Sequence, residues 1–140
     1  MSRSGYSDDC ENLGLYRASV DRAIRGKRGQ AFLREMAAAL DAMPVKELIA
    51  DDIVRDDKRV CALGSVALAR RMSVAGFDVT DAAYVGQEFG IARALAAEIA
   101  YENDEGGGWG RKTETPAERW TRMREWVAEQ LPKRPTEAST

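Results

Sequence analysis

Apolar positions recur every three or four residues along most of the chain, the spacing that places them on one face of an α-helix. Leu13, Tyr16, Val20, Ala23 and Ile24 form one such stripe and predict a helix over 9–25, with Ser7, Asp8 or Asp9 as its cap. Gly26-Lys27-Arg28-Gly29 interrupts it, with Gly26 in the position just past the helix end that favours a left-handed residue. Phe32, Leu33, Met36, Leu40 and Met43 predict a second helix over 29–43 that Pro44 ends, and Ala37, Ala38 and Ala39 leave room for a close neighbour. The rhythm changes over 46–61. Leu48-Ile49 and Ile53-Val54 are short and β-prone, Asp56-Asp57-Lys58-Arg59 reads as a turn, and Val60-Cys61-Ala62-Leu63 returns, which predicts a small β-hairpin near 47–62.

Helical spacing then resumes. Leu63, Val66, Ala67 and Arg70 fall on successive turns of a third helix over 63–73. Thr80 or Asp81 can cap a fourth helix that reaches Phe89, Gly90 supplies a tight turn, and Leu95, Ala96 and Ile99 form the inner side of a fifth over 91–103. Residues 104–114, DEGGGWGRKTE, read as a loop. Thr115-Pro116-Ala117-Glu118 is a capping box with proline at the first helical position; it opens a sixth helix over 116–131, on which Trp120, Met123, Val127 and Leu131 are spaced by three and four. The expectation is a predominantly α-helical α+β domain over 1–131, with about six helices and one hairpin. Residues 132–140 read as a disordered tail.

Composition narrows the chemistry. A chain of 140 residues with 44% hydrophobic and 31% charged residues suits one globular domain. A net charge of −2 gives no global pull toward nucleic acid, so any such contact needs a local patch. Histidine is absent, which removes Ser-His-Asp and Cys-His catalysis and His-ligated zinc. Cys10 and Cys61 are too few and too isolated for a disulfide framework or a zinc site, and suit a reducing cytosol. The opening residues MSRSGYSDD contain no apolar stretch, which predicts no secretory signal, and no window is apolar enough for a membrane span. The expected protein is cytoplasmic and non-enzymatic, and needs neither a cofactor nor a metal.

Five features offer candidate chemistry. Arg22, Arg25, Lys27, Arg28 and Arg34 surround the joint between the first two helices, with Asp21 the main offset; they could hold an acidic partner or phosphates, or simply form a solvated basic face. Residues 82–101 have helix-turn-helix spacing, with Gly86, Gly90, Ile91 and Ile99 at suitable positions. Their surface chemistry argues otherwise, since Arg93 is accompanied by Glu98, Glu102, Asp104 and Glu105, which phosphates would repel. GGGWGRKT at 106–113 has Arg111 where a P-loop needs glycine, so it is no nucleotide loop; its Trp109, Arg111 and Lys112 could still contact a partner. Cys61 opens a helix, yet has no histidine base beside it, and a small buried cysteine is the commoner state. The pairs Asp8-Asp9, Asp51-Asp52 and Asp56-Asp57 lack EF-hand spacing and read as solvated turns.

SRSGYSDD at 2–9, AIRGKRGQAFLREM at 23–36, VCALG at 60–64, FGIARALAAEIAYENDE at 89–105 and ETPAERWTRMREWV at 114–127 together resemble a family of small proteins encoded by bacteriophages and prophages of proteobacteria. VCALG followed by Asn103-Asp104 and a Thr-Pro-led helix also resembles another small bacterial domain family of unknown function. The resemblance carries no catalytic residue. What it implies is a phage accessory protein that binds a host protein or ribonucleoprotein complex, including the anti-CRISPR type of host-defence inhibitor. Contact residues are then expected among Arg22, Arg25, Lys27, Arg28, Arg34, Trp109, Arg111 and Lys112. A homodimer is a further expectation, with one of Trp120 and Trp126 in the core and the other facing a partner. The alternative is a DNA-binding regulator that uses 82–101.

Overall fold

The structure is a computed structural model that describes residues 13–55, 57–106 and 114–132. Among them are six helices: α1 (Leu13–Arg25), α2 (Lys27–Ala42), α3 (Ala62–Arg70), α4 (Ala82–Phe89), α5 (Arg93–Glu105) and α6 (Pro116–Gln130). The expected helix residues 9–12, the tail from 133 and loop residues 107–113 lie outside the described part.

Local chemistry accounts for most helix ends. The Asp81 side chain, not Thr80, caps α4 by accepting from the Tyr84 amide at 3.1 Å. Gly90 closes α4 in the left-handed region (φ 78°), where a side chain would be strained. The Thr115 hydroxyl accepts from the Glu118 amide at 3.1 Å, and the Glu118 carboxylate accepts from the Thr115 amide at 2.8 Å, which completes the capping box. α3 ends at Arg70, three residues short of the expected 73, because Arg71 turns left-handed (φ 57°). α5 runs on to Glu105, so the expected loop loses its first two residues to the helix.

α1, α3 and α6 each pack against both α2 and α5, while α4 packs mainly on α5 and meets α2 through the edge-to-face pair Phe32–Phe89. Leu33, Met36 and Leu40 from α2 join Leu63 and Val66 from α3, Leu95 and Ile99 from α5, and Met123 and Val127 from α6 in one buried apolar cluster. α5 packs against α1, α3, α4 and α6. Every residue from Leu95 to Ala100 is buried, and small residues at Ala96, Ala97 and Ala100 let neighbours approach from several sides.

The hairpin is not formed. The segment contains one isolated antiparallel bridge, Val54 to Val60, and no strand among the described residues. Its backbone groups find other partners. The Leu48 amide donates to the Pro116 carbonyl at 3.0 Å, and the Leu48 carbonyl accepts from Arg119 at 3.1 Å. The Ile49 carbonyl accepts from Asn103 at 2.8 Å, and the Asp51 amide donates to Asp104 at 3.1 Å. The two halves still exchange a few backbone bonds, the Ile49 amide on the Val60 carbonyl at 2.8 Å and the Cys61 amide on the Ile53 carbonyl at 3.1 Å, while α5 and α6 satisfy groups that a longer ladder would have paired; residues 48, 49, 53 and 60 are buried.

Candidate interaction surface

The α1–α2 joint is a sharp corner built on two glycines. Gly26 is the N-cap of α2, with extended backbone (φ −68°, ψ 161°), rather than the left-handed residue the sequence suggests at the end of α1. Its amide donates to the Arg22 carbonyl at 3.0 Å, and its carbonyl accepts from the Gln30 amide at 2.9 Å. α2 therefore starts at Lys27, two residues earlier than expected. Gly29 lies inside its first turn because the Ala23 carbonyl leaves no space; a Cβ there would stand 1.8 Å from that oxygen. From beneath, the buried Gln30 amide donates to the Ile24 carbonyl at 2.7 Å and to the Gln130 carbonyl at 3.1 Å. One side chain thus ties the last turns of α1 and α6 to α2.

The five cations of the joint sit on the outside of this corner. Arg22, Arg25, Lys27, Arg28 and Arg34 are all exposed, and none joins an ion pair among the described residues. Arg17, Arg70, Arg119, Arg122 and Arg124 have structural partners, whereas Arg55, Arg59, Arg71 and Arg93 are exposed and, like the corner cations, join no ion pair among the described residues. Arg70 makes a two-point contact with Glu35, at 2.7 Å for each bond, and holds its carboxyl below the usual range; Arg124 does the same to Asp41 at 2.8 and 3.0 Å. Arg22 and Arg25 lie on the last turn of α1, where a cation complements the helix dipole. Lys27 and Arg28 lie on the first turn of α2, where it does not, and no acidic residue stands in that turn to offset them. Positive charge is thus concentrated at the corner, favourably placed at the end of α1 and unfavourably at the start of α2.

The other sequence candidates fall elsewhere. Trp109, Arg111 and Lys112 lie outside the described residues. α4 and α5 do form a helical hairpin, closed by Gly90 and by the Ile91 amide on the Gly86 carbonyl at 2.8 Å. Its second helix, however, is the enclosed α5, and a helix read by a DNA groove needs an open face. Trp120 and Trp126 both pack on the chain's own core, and the Trp120 indole donates to the Leu40 carbonyl at 3.2 Å. Cys61 is fully buried at the N-cap of α3. Asp51 and Asp52 serve a turn, Asp52 accepting from the Ile53 amide at 2.9 Å. Among the described residues no group of three or more His, Cys, Asp or Glu side chains could hold a metal, and no helix is long and apolar enough to cross a membrane.

The structure also holds a buried polar network that sequence reasoning missed. Asn103, with no exposed surface, donates to the Ile49 carbonyl and accepts from the Ala62 amide at 3.1 Å. Arg119 and Arg122 donate to the Asn103 carbonyl, each at 3.1 Å, and Arg122 grips the buried Glu114 carboxylate at 2.7 and 3.0 Å. On the far side of α5, Glu98 accepts from Arg17 of α1 at 2.7 Å. Glu102 stands one turn further on, and its carboxyl is raised to about 7 by burial, by the neighbouring charge of Glu98 and by a hydrogen bond to it. The network ties α5 and α6 to the segment 48–62. Glu98, Glu102 and Asn103 give no local sign of burial; the one available clue is the Ala-rich, nearly all-apolar run at 94–100. No protein-family model, no curated protein and no solved structure matches this chain.

Proposed function

We propose that the protein acts by binding, and that the cationic corner between α1 and α2 is the face it presents to an acidic surface on a partner protein. The observation that carries this reading is the set of exposed cations Arg22, Arg25, Lys27, Arg28 and Arg34, none ion-paired among the described residues, two of them placed against the helix dipole. The resemblance to phage and prophage proteins supplies the setting: an accessory protein in the host cytoplasm that engages a host component, of the type that inhibits a defence complex. The enclosure of α5 turns the reading away from DNA recognition by 82–101.

Affinity capture from the bacterial host tests it. The wild-type chain retains one partner, and the pair Arg25→Glu with Arg28→Glu releases it while the circular dichroism spectrum is unchanged. A double variant that retains the same partner equally well would put the contact surface elsewhere. Duplex DNA binding that falls steeply with salt and survives this reversal would restore the regulator reading.

A further inference from the structure

We propose that the protein pairs with a second copy of itself through an apolar groove that lies between the turn after α2 and the residues leading into α3. Among the described residues four large apolar side chains are exposed, Leu15, Val45, Leu68 and Tyr84. Two of them, Val45 at 60% and Leu68 at 50%, meet in this groove. Its volume is about 340 Å³, and Met43, Pro44 and Val60 complete the apolar lining. Two segments frame it, 43–47 and 58–60, with Leu68 contributed by α3. Apolar side chains gathered in water at one place gain by covering one another. The backbone is strained at the same rim: Lys58 is held in the left-handed region (φ 68°), where a residue with a side chain is uncommon.

Charge decides what covers the groove. The first segment offers an acid, Glu47, and the second offers two cations, Lys58 and Arg59. All three are exposed, and none joins an ion pair among the described residues although they line one groove. Neighbouring charges are turned elsewhere. Lys46 donates to the Asp41 and Met43 carbonyls at 2.6 and 2.5 Å and lies over the Trp120 ring. Asp57 accepts from the Arg59 amide at 3.1 Å. An acidic peptide would be attracted by Lys58 and Arg59 but repelled by Glu47, and a basic peptide the reverse. A second copy related by a two-fold axis answers both signs, because Glu47 of each copy faces Lys58 and Arg59 of the other while Val45 and Leu68 are covered. The groove lies past one end of α2 and the cationic corner lies at the other, roughly 24 Å away along 16 residues of helix. Pairing therefore leaves both corners open and does not depend on what they bind; the dimer presents two of them at once. The patch is small, so the pairing is an exchange between monomer and dimer rather than a permanent assembly.

Sedimentation velocity of the full chain, from about 5 µM to about 500 µM, tests this. The wild-type sedimentation coefficient rises with concentration from the monomer value toward the dimer value. Leu68→Asp stays monomeric across the range. Glu47→Lys, and separately the pair Lys58→Glu with Arg59→Glu, each weakens association at least about tenfold. An equimolar mixture of these two charge variants recovers the dimer, because each copy then meets its opposite across the axis. The substituted side chains are exposed, and circular dichroism checks that each variant folds. The charge variants decide the question independently of how well Leu68→Asp folds. A wild-type chain that stays monomeric at the highest concentration would overturn the proposal. So would a dimer that Leu68→Asp or the charge reversals leave intact, or a mixture that fails to recover the pairing lost in both variants.

Discussion

The side-chain carbonyl of Asn103 accepts from the Ala62 amide across 41 residues of sequence, at 3.1 Å and out of contact with water. The same side chain donates to the Ile49 carbonyl, so one amide joins α5 to both ends of the segment that reads as a hairpin. Asn103→Leu leaves a buried donor and a buried acceptor unmatched. It is expected to cost about 2–4 kcal/mol, read as a lower urea midpoint. Asn103→Asp keeps the acceptor toward Ala62 but loses the donor toward Ile49, so it is expected to destabilise as well.

Arg122 illustrates the same dependence with charge. Its removal takes away the closest ion pair of the Glu114 carboxylate, which is 3% exposed, while the longer 3.5 Å contact to Arg119 remains. Arg122→Met is expected to lose about 3 kcal/mol. Reverting Glu114 to an uncharged residue in the same chain, as Glu114→Gln, should recover part of that loss. Denaturant titrations of the two single variants and the double variant measure the coupling.

The corner between α1 and α2 separates its two glycines. Gly29→Ala drives a Cβ into the Ala23 carbonyl and is expected to part the helices, at a cost of more than about 2 kcal/mol. At Gly26 a Cβ would meet only the Arg22 carbonyl at 3.4 Å, so Gly26→Ala is expected to cost less than about 1 kcal/mol. Thermal unfolding of both variants checks the contrast.

Stability should vary with pH in a direction set by Glu102. Its carboxyl is raised from 4.5 to about 7 in the folded chain, so the folded state holds this proton more tightly than the unfolded state. That contribution is fully present below 4.5 and is lost as pH rises to about 7, beyond which it levels off. Glu35 and Asp41 act in the opposite sense in a lower window. Hydrogen bonds from Arg70 and Arg124 lower their values, so their contribution is present above the unfolded values and is lost on acidification. Wild-type stability is therefore expected to fall by about 1–3 kcal/mol between pH 5 and pH 7. Glu102→Gln should flatten this decline and be the more stable protein above pH 7, as urea unfolding across the range would show.

Sequence patterns anticipate what is local. The Thr115–Glu118 box, the Gly90 turn and the stripes of α2 and α6 each combine a few neighbouring residues, and each appears where expected. The segment 46–61 misleads because β-prone residues record burial as readily as pairing. Leu48, Ile49, Ile53 and Val60 are buried, but only a few backbone bonds cross the segment, such as the Ile49 amide on the Val60 carbonyl, and the Leu48 and Ile49 carbonyls turn to side chains of α6 and α5 far away in sequence. The acids of α5 mislead for a related reason. Glu98 and Glu102 read as a surface hostile to phosphate, whereas Glu98 is buried and pairs with Arg17, a partner that sequence spacing does not reveal. The cationic corner is legible because surface charge needs no partner to be recognised.

We propose that Arg22, Arg25, Lys27, Arg28 and Arg34 serve binding and not folding. Replacing all five with glutamine and measuring unfolding and partner capture on the same preparation tests it most directly. The expected result is an unfolding midpoint within about 0.5 kcal/mol of wild type, or above it because the charge on the first turn of α2 is relieved, together with loss of capture. A marked drop in stability, or undiminished capture, would contradict it.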